Sequence, residues 1–210
     1  MRVQVVEHPL IDHKLSLLRA ETTSNSVFRQ TVHDLTVLVG IEATRDLPMA
    51  EAKVVTPVAE MTGRVVAEPT PIAVPILRAG LGMLNGFLEL VPTADSGFLG
   101  LKRNEKTLVP EVYAKRFPTQ TAGRHIFLLD PMLATGGSLV ASINIALAEG
   151  ASEVTCMCLV ASPQGVETVK AACADKPVSL FLAVIDEKLN DAGYIVPGLG
   201  DAGDRMFGVA

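Results

Sequence analysis

The chain is predicted to be an α/β protein built on a largely parallel, twisted sheet with flanking helices and a protruding β-arm. Three observations predict it. Four apolar, strand-like runs alternate with helix-like segments along 210 residues, which is the rhythm of βα units and a parallel sheet. The stretch HIFLLDPMLATGGSLVASINIALAEG, His125 to Gly150, sets an apolar run, an acid, a Thr-Gly-Gly-Ser turn and an apolar-periodic helix in that order. At 49% hydrophobic content the chain can bury a sizeable core, and its length suits one α/β domain with appendages, residues 1–210.

After a short extended start, Ser24 or Asn25 can cap a helix in which Phe28, Val32, Leu35 and Val39 recur at helical spacing. PIAVPIL reads as a buried strand and LGMLNGFLELV as the helix after it, its glycines tolerated and not favoured. GFLGLKR and EVYAKRF read as two strands joined by NEKTLVP, an arm rich in charge and turn residues that interrupts the βα rhythm and is expected to be mobile. The rhythm resumes with HIFLLD, the glycine loop and its helix, then EVTCMCLVAS, a helix near Val166 to Ala174, and VSLFLAVID. From Glu187 the chain is long and irregular, with Tyr194, Ile195, Val196 and Phe207 available to anchor it.

A formal net charge of −5 argues against a general nucleic-acid or membrane-surface binder, so any bound phosphate must be held locally. No apolar stretch approaches the ~20 residues that cross a bilayer, and MRVQVVEHPL has acidic and proline interruptions where a signal peptide has an apolar core. A cytoplasmic location is expected. Three cysteines give no disulfide framework, and Cys156 and Cys158 read as small buried hydrophobes in a strand-like run. His8, His13, His33 and His125 lack a compact ligand spacing, so no residue is expected to be a dedicated metal ligand.

A strand that delivers an acid to its end, followed by a glycine loop that opens a helix, builds an anion cradle from backbone N–H groups. Such a cradle suits a phosphate. Gly136 and Gly137 permit close backbone approach, and Thr135 and Ser138 add hydroxyl donors without bulk. Asp130 cannot bind phosphate directly, so a sugar hydroxyl or a metal is its expected partner. An ordinary βα turn uses the same residue types, and the loop lacks both the P-loop lysine and the three-glycine dinucleotide spacing. In open α/β sheets ligands bind beyond the carboxyl ends of the strands, which singles out Arg78, Asp130, Ser162 and Asp186. Arg78, followed by Ala79 and Gly80, has room to fork onto a pyrophosphate, or else to form an ion pair at the strand end. Arg103, at the start of the arm, is either a solvated surface arginine or a lid residue over the same ligand, a role that Lys102, Lys106, Lys115 and Arg116 can share.

Four segments, PILRAGLGM, LKRNEKT, LLDPMLATGGS and YIVPGLGDAGDRMFG, occur in an order that resembles the uracil phosphoribosyltransferases, which act on 5-phosphoribosyl-1-diphosphate (PRPP). The resemblance spans most of the chain and implies a phosphoribosyltransferase-like fold with a C-terminal base-binding loop. It implies that Arg78 and Arg103 contact PRPP, and that Asp130, Pro131, Met132, Leu133, Ala134, Thr135, Gly136, Gly137 and Ser138 form its phosphate and ribose loop. Ile195, Gly200, Asp201 and Ala202 are implied to hold uracil, with Asp201 touching PRPP as well. Arg78, Arg103, Asp130 and Asp201 are then the catalytic set. The implied reaction is uracil plus PRPP giving UMP and pyrophosphate, with Mg²⁺ held mainly by pyrophosphate and ribose oxygens. Uracil N1 is the nucleophile, and Asp130, Asp201 or a water takes its proton.

This sequence departs from the wider superfamily at Asp130-Pro131, where most members carry two adjacent acids, and at Arg-Asn-Glu-Lys, where many relatives carry a further acid after the glutamate. Uracil is flat and uncharged, so GYIVPGLGDAGD can mirror its edge with backbone groups, and the amino group of cytosine would meet a donor there. The implied partners are PRPP, uracil, further copies of the chain in a homodimer or larger assembly, and GTP, an allosteric effector in some relatives. No nucleic acid or membrane partner is expected. Two other readings share these residues. One is a phosphoribosyltransferase acting on a purine base; the other is a regulator that keeps the PRPP fold and binds RNA, against which the acidic balance and the lack of an aromatic-rich basic face both count.

Overall fold

A computed structural model of the chain describes residues 1–103 and 110–208, with Arg103 and Pro110 described in backbone only. β1 (Arg2–Val5) leads into α1 (Pro9–Arg19), where Pro9 occupies the first turn and His8 Nδ1 accepts from the Leu10 N–H at 3.1 Å. Histidine is not among the favoured capping residues, so this helix start carries little signal in sequence. α2 (Asn25–Ala43) follows Ser24 as expected and buries Phe28, Val32, Leu35 and Val39 completely.

Residues 49–66, unassigned from the sequence, form a hairpin of β2 (Met49–Val55) and β3 (Glu60–Val66) that pair only with each other. The first of these strands is rich in alanine and charge, a composition depleted in strands, which hides it from a sequence reading. β4 (Ile72–Leu77), α3 (Leu81–Leu90) and the two-residue β5 (Asp95–Ser96) lead to β6 (Phe98–Arg103), which is antiparallel to β7 (Pro110–Arg116). Because β6 also pairs in parallel with β4, the base of the expected arm extends the main sheet. The tip of the arm, with Lys106, and the mobility expected of it lie outside the described residues. β8 (His125–Leu129), β9 (Met132–Leu133), α4 (Gly137–Ala148), β10 (Glu153–Ala161), α5 (Pro163–Cys173) and β11 (Val178–Ile185) complete the alternation. The segment after Glu187, expected to be irregular, holds β12 (Lys188–Leu189) against β13 (Ile195–Val196) and ends in α6 (Ala202–Phe207).

The main sheet runs in the order β1-β11-β10-β8-β4-β6-β7 and is parallel except between β6 and β7. Side-chain alternation divides the core between its two faces. Ile72, Val74, Ile126, Leu128, Cys156, Cys158 and Leu180 pack with Leu139 and Ile143 of α4 and Val166 and Val169 of α5. Ala73, Phe127, Leu129, Met157, Leu159 and Phe181 pack with α1, α2 and α3. Burial on both faces is why these strands read as unbroken apolar runs. All three cysteines are buried and free. Since β4, β8, β10 and β11 are parallel, Arg78, Asp130, Ser162 and Asp186 emerge at one edge of the sheet.

Candidate active site

The pairing of β8 with β10 breaks at Asp130 and Pro131 and resumes as β9 in unchanged register, Leu129 opposite Met157 and Met132 opposite Val160. The chain then turns through Ala134, Thr135 and Gly136 into α4. Gly136 has φ +87°, and a Cβ there would lie 2.9 Å from the Gly165 carbonyl oxygen, so both conformation and space demand glycine. The underside of this turn is tied to the start of α5. The Ser162 N–H donates to the Leu133 carbonyl at 2.9 Å, and Ser162 Oγ donates to the Ala134 carbonyl at 2.6 Å while accepting from the Gly165 N–H at 2.9 Å. Ser162, a strand-end candidate in the sequence, is thus fully buried and shapes the loop from behind. With the loop carbonyls held there and no side chain capping α4, the first N–H groups of α4 have no partner within the helix. They are positioned to receive an anion, beside a half-buried Thr135 and an exposed Ser138.

Asp130 lies at the neck of this loop. Its Oδ1 accepts from the Met132 N–H at 3.3 Å and its own N–H donates to the Met157 carbonyl at 3.1 Å. Burial pushes its carboxyl up to about 7, against the opposing effect of the Met132 N–H. The group can therefore gain or lose a proton near neutral pH.

Arg78 follows β4 through a cis Leu77-Arg78 peptide, and its half-exposed guanidinium pairs with Asp204 Oδ1 at 3.0 Å. Asp201 caps α6, its Oδ1 accepting from the Asp204 N–H at 2.9 Å. Gly203 fills the gap between them, since a Cβ there would lie 3.2 Å from Asp201 Oδ1 and 3.6 Å from Arg78 Nη2. The two sequence readings of Arg78 are therefore compatible. A solvent-exposed ion pair is weak and exchangeable, so the same guanidinium can leave Asp204 for a multiply charged anion. The Arg103 backbone ends β6 three residues beyond the Leu77–Gly100 pairing, and its side chain lies outside the described residues. Lys102 pairs with Glu111 at 3.8 Å and Lys115 with Glu149.

Ile195, Gly200, Asp201 and Ala202, the four residues expected to hold a base, line one cleft of about 220 Å³. Met132 and Ala134 of the glycine loop and Ala79, beside Arg78, complete its walls. Gly193, Tyr194 and Gly203, outside the expected base-holding set, also line it, and all three lie in the stretch GYIVPGLGDAGD. Asn190 N–H donates to the Tyr194 carbonyl at 2.8 Å, and Leu189 faces Ile195 in the β12–β13 ladder. Alternation along an antiparallel ladder then turns the N–H and C=O of Ile195 away from β12. The cleft is thus bordered by main-chain groups, with Asp201 the one carboxylate among its described lining residues.

The family model for uracil phosphoribosyltransferase matches residues 5–209. The uracil phosphoribosyltransferases of Paenarthrobacter aurescens and Streptomyces coelicolor are 52% and 51% identical to this chain over 210 residues, covering all of it and all of each relative. The solved structure of the AQ2163 protein from Aquifex aeolicus superposes with a TM-score of 0.92 at 39% identity, over 99% of both chains. A hypoxanthine-guanine phosphoribosyltransferase from Bacillus anthracis shares only the fold, with a TM-score of 0.52 at 6% identity over 77% of this chain and 82% of its own. The match along almost the whole chain and the full-length identity place this protein in the uracil phosphoribosyltransferase family.

Proposed function

We propose that this chain transfers the phosphoribosyl group of PRPP to N1 of uracil, giving UMP and pyrophosphate in pyrimidine salvage. The observation that carries the reading is the single cleft in which Met132 and Ala134 of the anion-binding turn, Ala79 beside Arg78, and the Ile195–Ala202 segment meet. A donor anchored by its 5′-phosphate on the turn from Thr135 to Ser138 would lay its ribose across Asp130, where the carboxylate accepts from hydroxyls. Its pyrophosphate would then extend toward Arg78 and the Arg103 end of β6. Arg78 forks onto the departing oxygens and neutralises charge that grows as the anomeric bond breaks. Uracil, aligned by backbone hydrogen bonds from Ile195, Gly200 and Ala202, presents N1 to that carbon, and this alignment replaces an improbable encounter. Asp130 is the stronger candidate to take the N1 proton, because burial raises its carboxyl to about 7.

Among the described residues no three His, Cys, Asp or Glu side chains converge on a point able to hold a metal. Mg²⁺ is commonly held by one or two carboxylates plus substrate phosphates, so it would be carried mainly by the oxygens of PRPP, with Asp130 and Asp201 the candidate protein carboxylates. Bound so, the ion supplies charge neutralisation to the leaving pyrophosphate.

Residues 1–210 are read as one phosphoribosyltransferase domain in a homodimer or larger assembly. The β2–β3 hairpin supports an assembly: a two-stranded hairpin is marginal alone, and Val55, Val58 and Met61 are exposed on it. GTP as an effector rests on the resemblance to relatives. No helix among the described residues is long and apolar enough to cross a membrane, and a cytoplasmic site of action is proposed.

The test is turnover of PRPP and Mg²⁺ with labelled uracil, cytosine, hypoxanthine and guanine, followed as pyrophosphate release. Uracil is expected to react with kcat/KM at least about 100-fold above cytosine, whose amino group leaves buried donors facing each other. Turnover of a purine with uracil inert would replace the base assignment.

A further inference from the structure

The segment that borders the base cleft is held from behind by two side chains that do not line the cleft. Asp186 directly follows β11 and is almost wholly buried. Its Oδ1 accepts from Arg19 Nη2 at 2.5 Å, and its Oδ2 accepts from Arg19 Nη1 at 2.8 Å and from the Gly198 N–H at 2.8 Å. Arg19 Nη1 also donates to the Gly198 carbonyl at 2.7 Å. Both main-chain groups of Gly198 are therefore taken, one by each member of the pair. Gly198 has φ +60°, and a Cβ there would lie 2.0 Å from the Ile195 carbonyl oxygen, so this turn closes directly onto a residue of the cleft. Arg205 secures the next residue, donating to the Leu199 carbonyl at 2.9 Å and to the Leu18 and Ala20 carbonyls at the end of α1.

We infer that Arg19 and Asp186 act as a positioning clamp that fixes the Ile195–Gly200 segment in the register needed to bind the base, setting affinity for uracil separately from affinity for PRPP. This rests on the base site proposed above. An ion pair at this depth adds little net stability, because desolvation of both charges offsets their attraction. What it does add is direction. Two hydrogen bonds end on the backbone of Gly198, the only handle a glycine offers, and two more lock Arg19 to Asp186. Arg19 lines a second cavity of about 660 Å³ that shares Gly200 and Asp201 with the base cleft, and neither clamp residue lines the base cleft itself. Substitution there removes no contact with base or donor; it frees the turn that carries them. The Asp130–Ser138 loop is anchored instead by Ser162 and is untouched by the change.

The test uses Asp186→Asn and Arg19→Lys. Asparagine keeps one acceptor oxygen but loses the negative charge and sets an amide donor against one Arg19 nitrogen, and lysine keeps the charge while losing the fork that spans Asp186 and Gly198. Steady-state KM for uracil and for PRPP, kcat, and calorimetric affinity for PRPP with Mg²⁺ are measured beside thermal melting. The expected result is a rise of about tenfold or more in KM for uracil in Asp186→Asn, a smaller rise in Arg19→Lys, and PRPP affinity within about twofold of the parent. A purely structural role predicts a lower melting temperature and lower apparent kcat with both KM values unchanged, and that outcome overturns the clamp, as does KM for uracil unchanged in both variants. If Asp186→Asn does not fold, Arg19→Lys decides alone by the same criteria. Failure of the parent protein to turn over uracil refutes the base assignment before any variant is compared, so the two failures are distinguishable.

Discussion

Replacing Arg78 by alanine is expected to lower kcat/KM for PRPP about 100- to 1,000-fold, the effect of removing one well-placed charge donor from a transition state. Among the described residues this guanidinium is half exposed and pairs with Asp204, and exposed pairs of that kind contribute about 0–1 kcal/mol to stability. The variant should therefore melt within a few degrees of the parent, which separates a chemical role from a folding role. Arg78→Lys should recover only part of the loss, because an ammonium carries the charge without the two-pronged geometry that matches a pyrophosphate. Steady-state kinetics and thermal melting on the three proteins check this. An Arg78→Ala protein with nearly full activity would leave the guanidinium as a surface ion pair and no more.

Asp130→Asn is expected to move activity and stability in opposite directions. Burial raises the folded carboxyl to about 7, from roughly 3.9 for an exposed aspartate in the unfolded chain. Between these values the folded state binds the extra proton, so its stability falls as pH rises from about 4 to about 7 and stays low above that. Asparagine does not titrate. The advantage of the variant should grow across the same window to on the order of 1–3 kcal/mol at pH 8 and vanish below about pH 4. Activity should fall at least about 100-fold, since the amide can neither hold the proton nor accept charge-assisted bonds from ribose hydroxyls. Urea unfolding at pH 4, 6 and 8 reads the first effect and single-turnover rates the second. Equal stability of the two proteins at every pH would mean that Asp130 is well solvated and not poised near neutrality.

Much of this arrangement is legible in the sequence, and the reasons differ by residue. The strands carrying Arg78 and Asp130 are buried on both faces, so they stand out as apolar runs, and a strand followed by Thr-Gly-Gly-Ser announces its own turn. The Ile195–Ala202 segment is legible as a glycine-rich stretch, but its role as the wall of a cleft comes only from the fold, which brings it against Met132 and Ala134. α6 is hidden because it spans six residues and carries Asp201 as its cap and Asp204 in its first turn, residues that serve equally well in turns. Ser162 and Asp186 stand out in the sequence as strand-end residues, yet nothing local to them reveals that one holds the Ala134 carbonyl and the other Gly198. Arg19 and Asp186 lie 167 positions apart, and no periodicity or spacing connects residues at that separation.

We propose that the turn from Thr135 to Ser138 grips the phosphate end of PRPP. The most direct test is a calorimetric titration of PRPP with Mg²⁺, without uracil, into the parent and into the Thr135→Ala, Ser138→Ala double variant. Hydrogen bonds to a charged partner contribute about 1.5–3 kcal/mol each, so the double variant should bind PRPP at least about 100-fold more weakly while retaining its fold. An unchanged dissociation constant in a folded double variant would contradict the account.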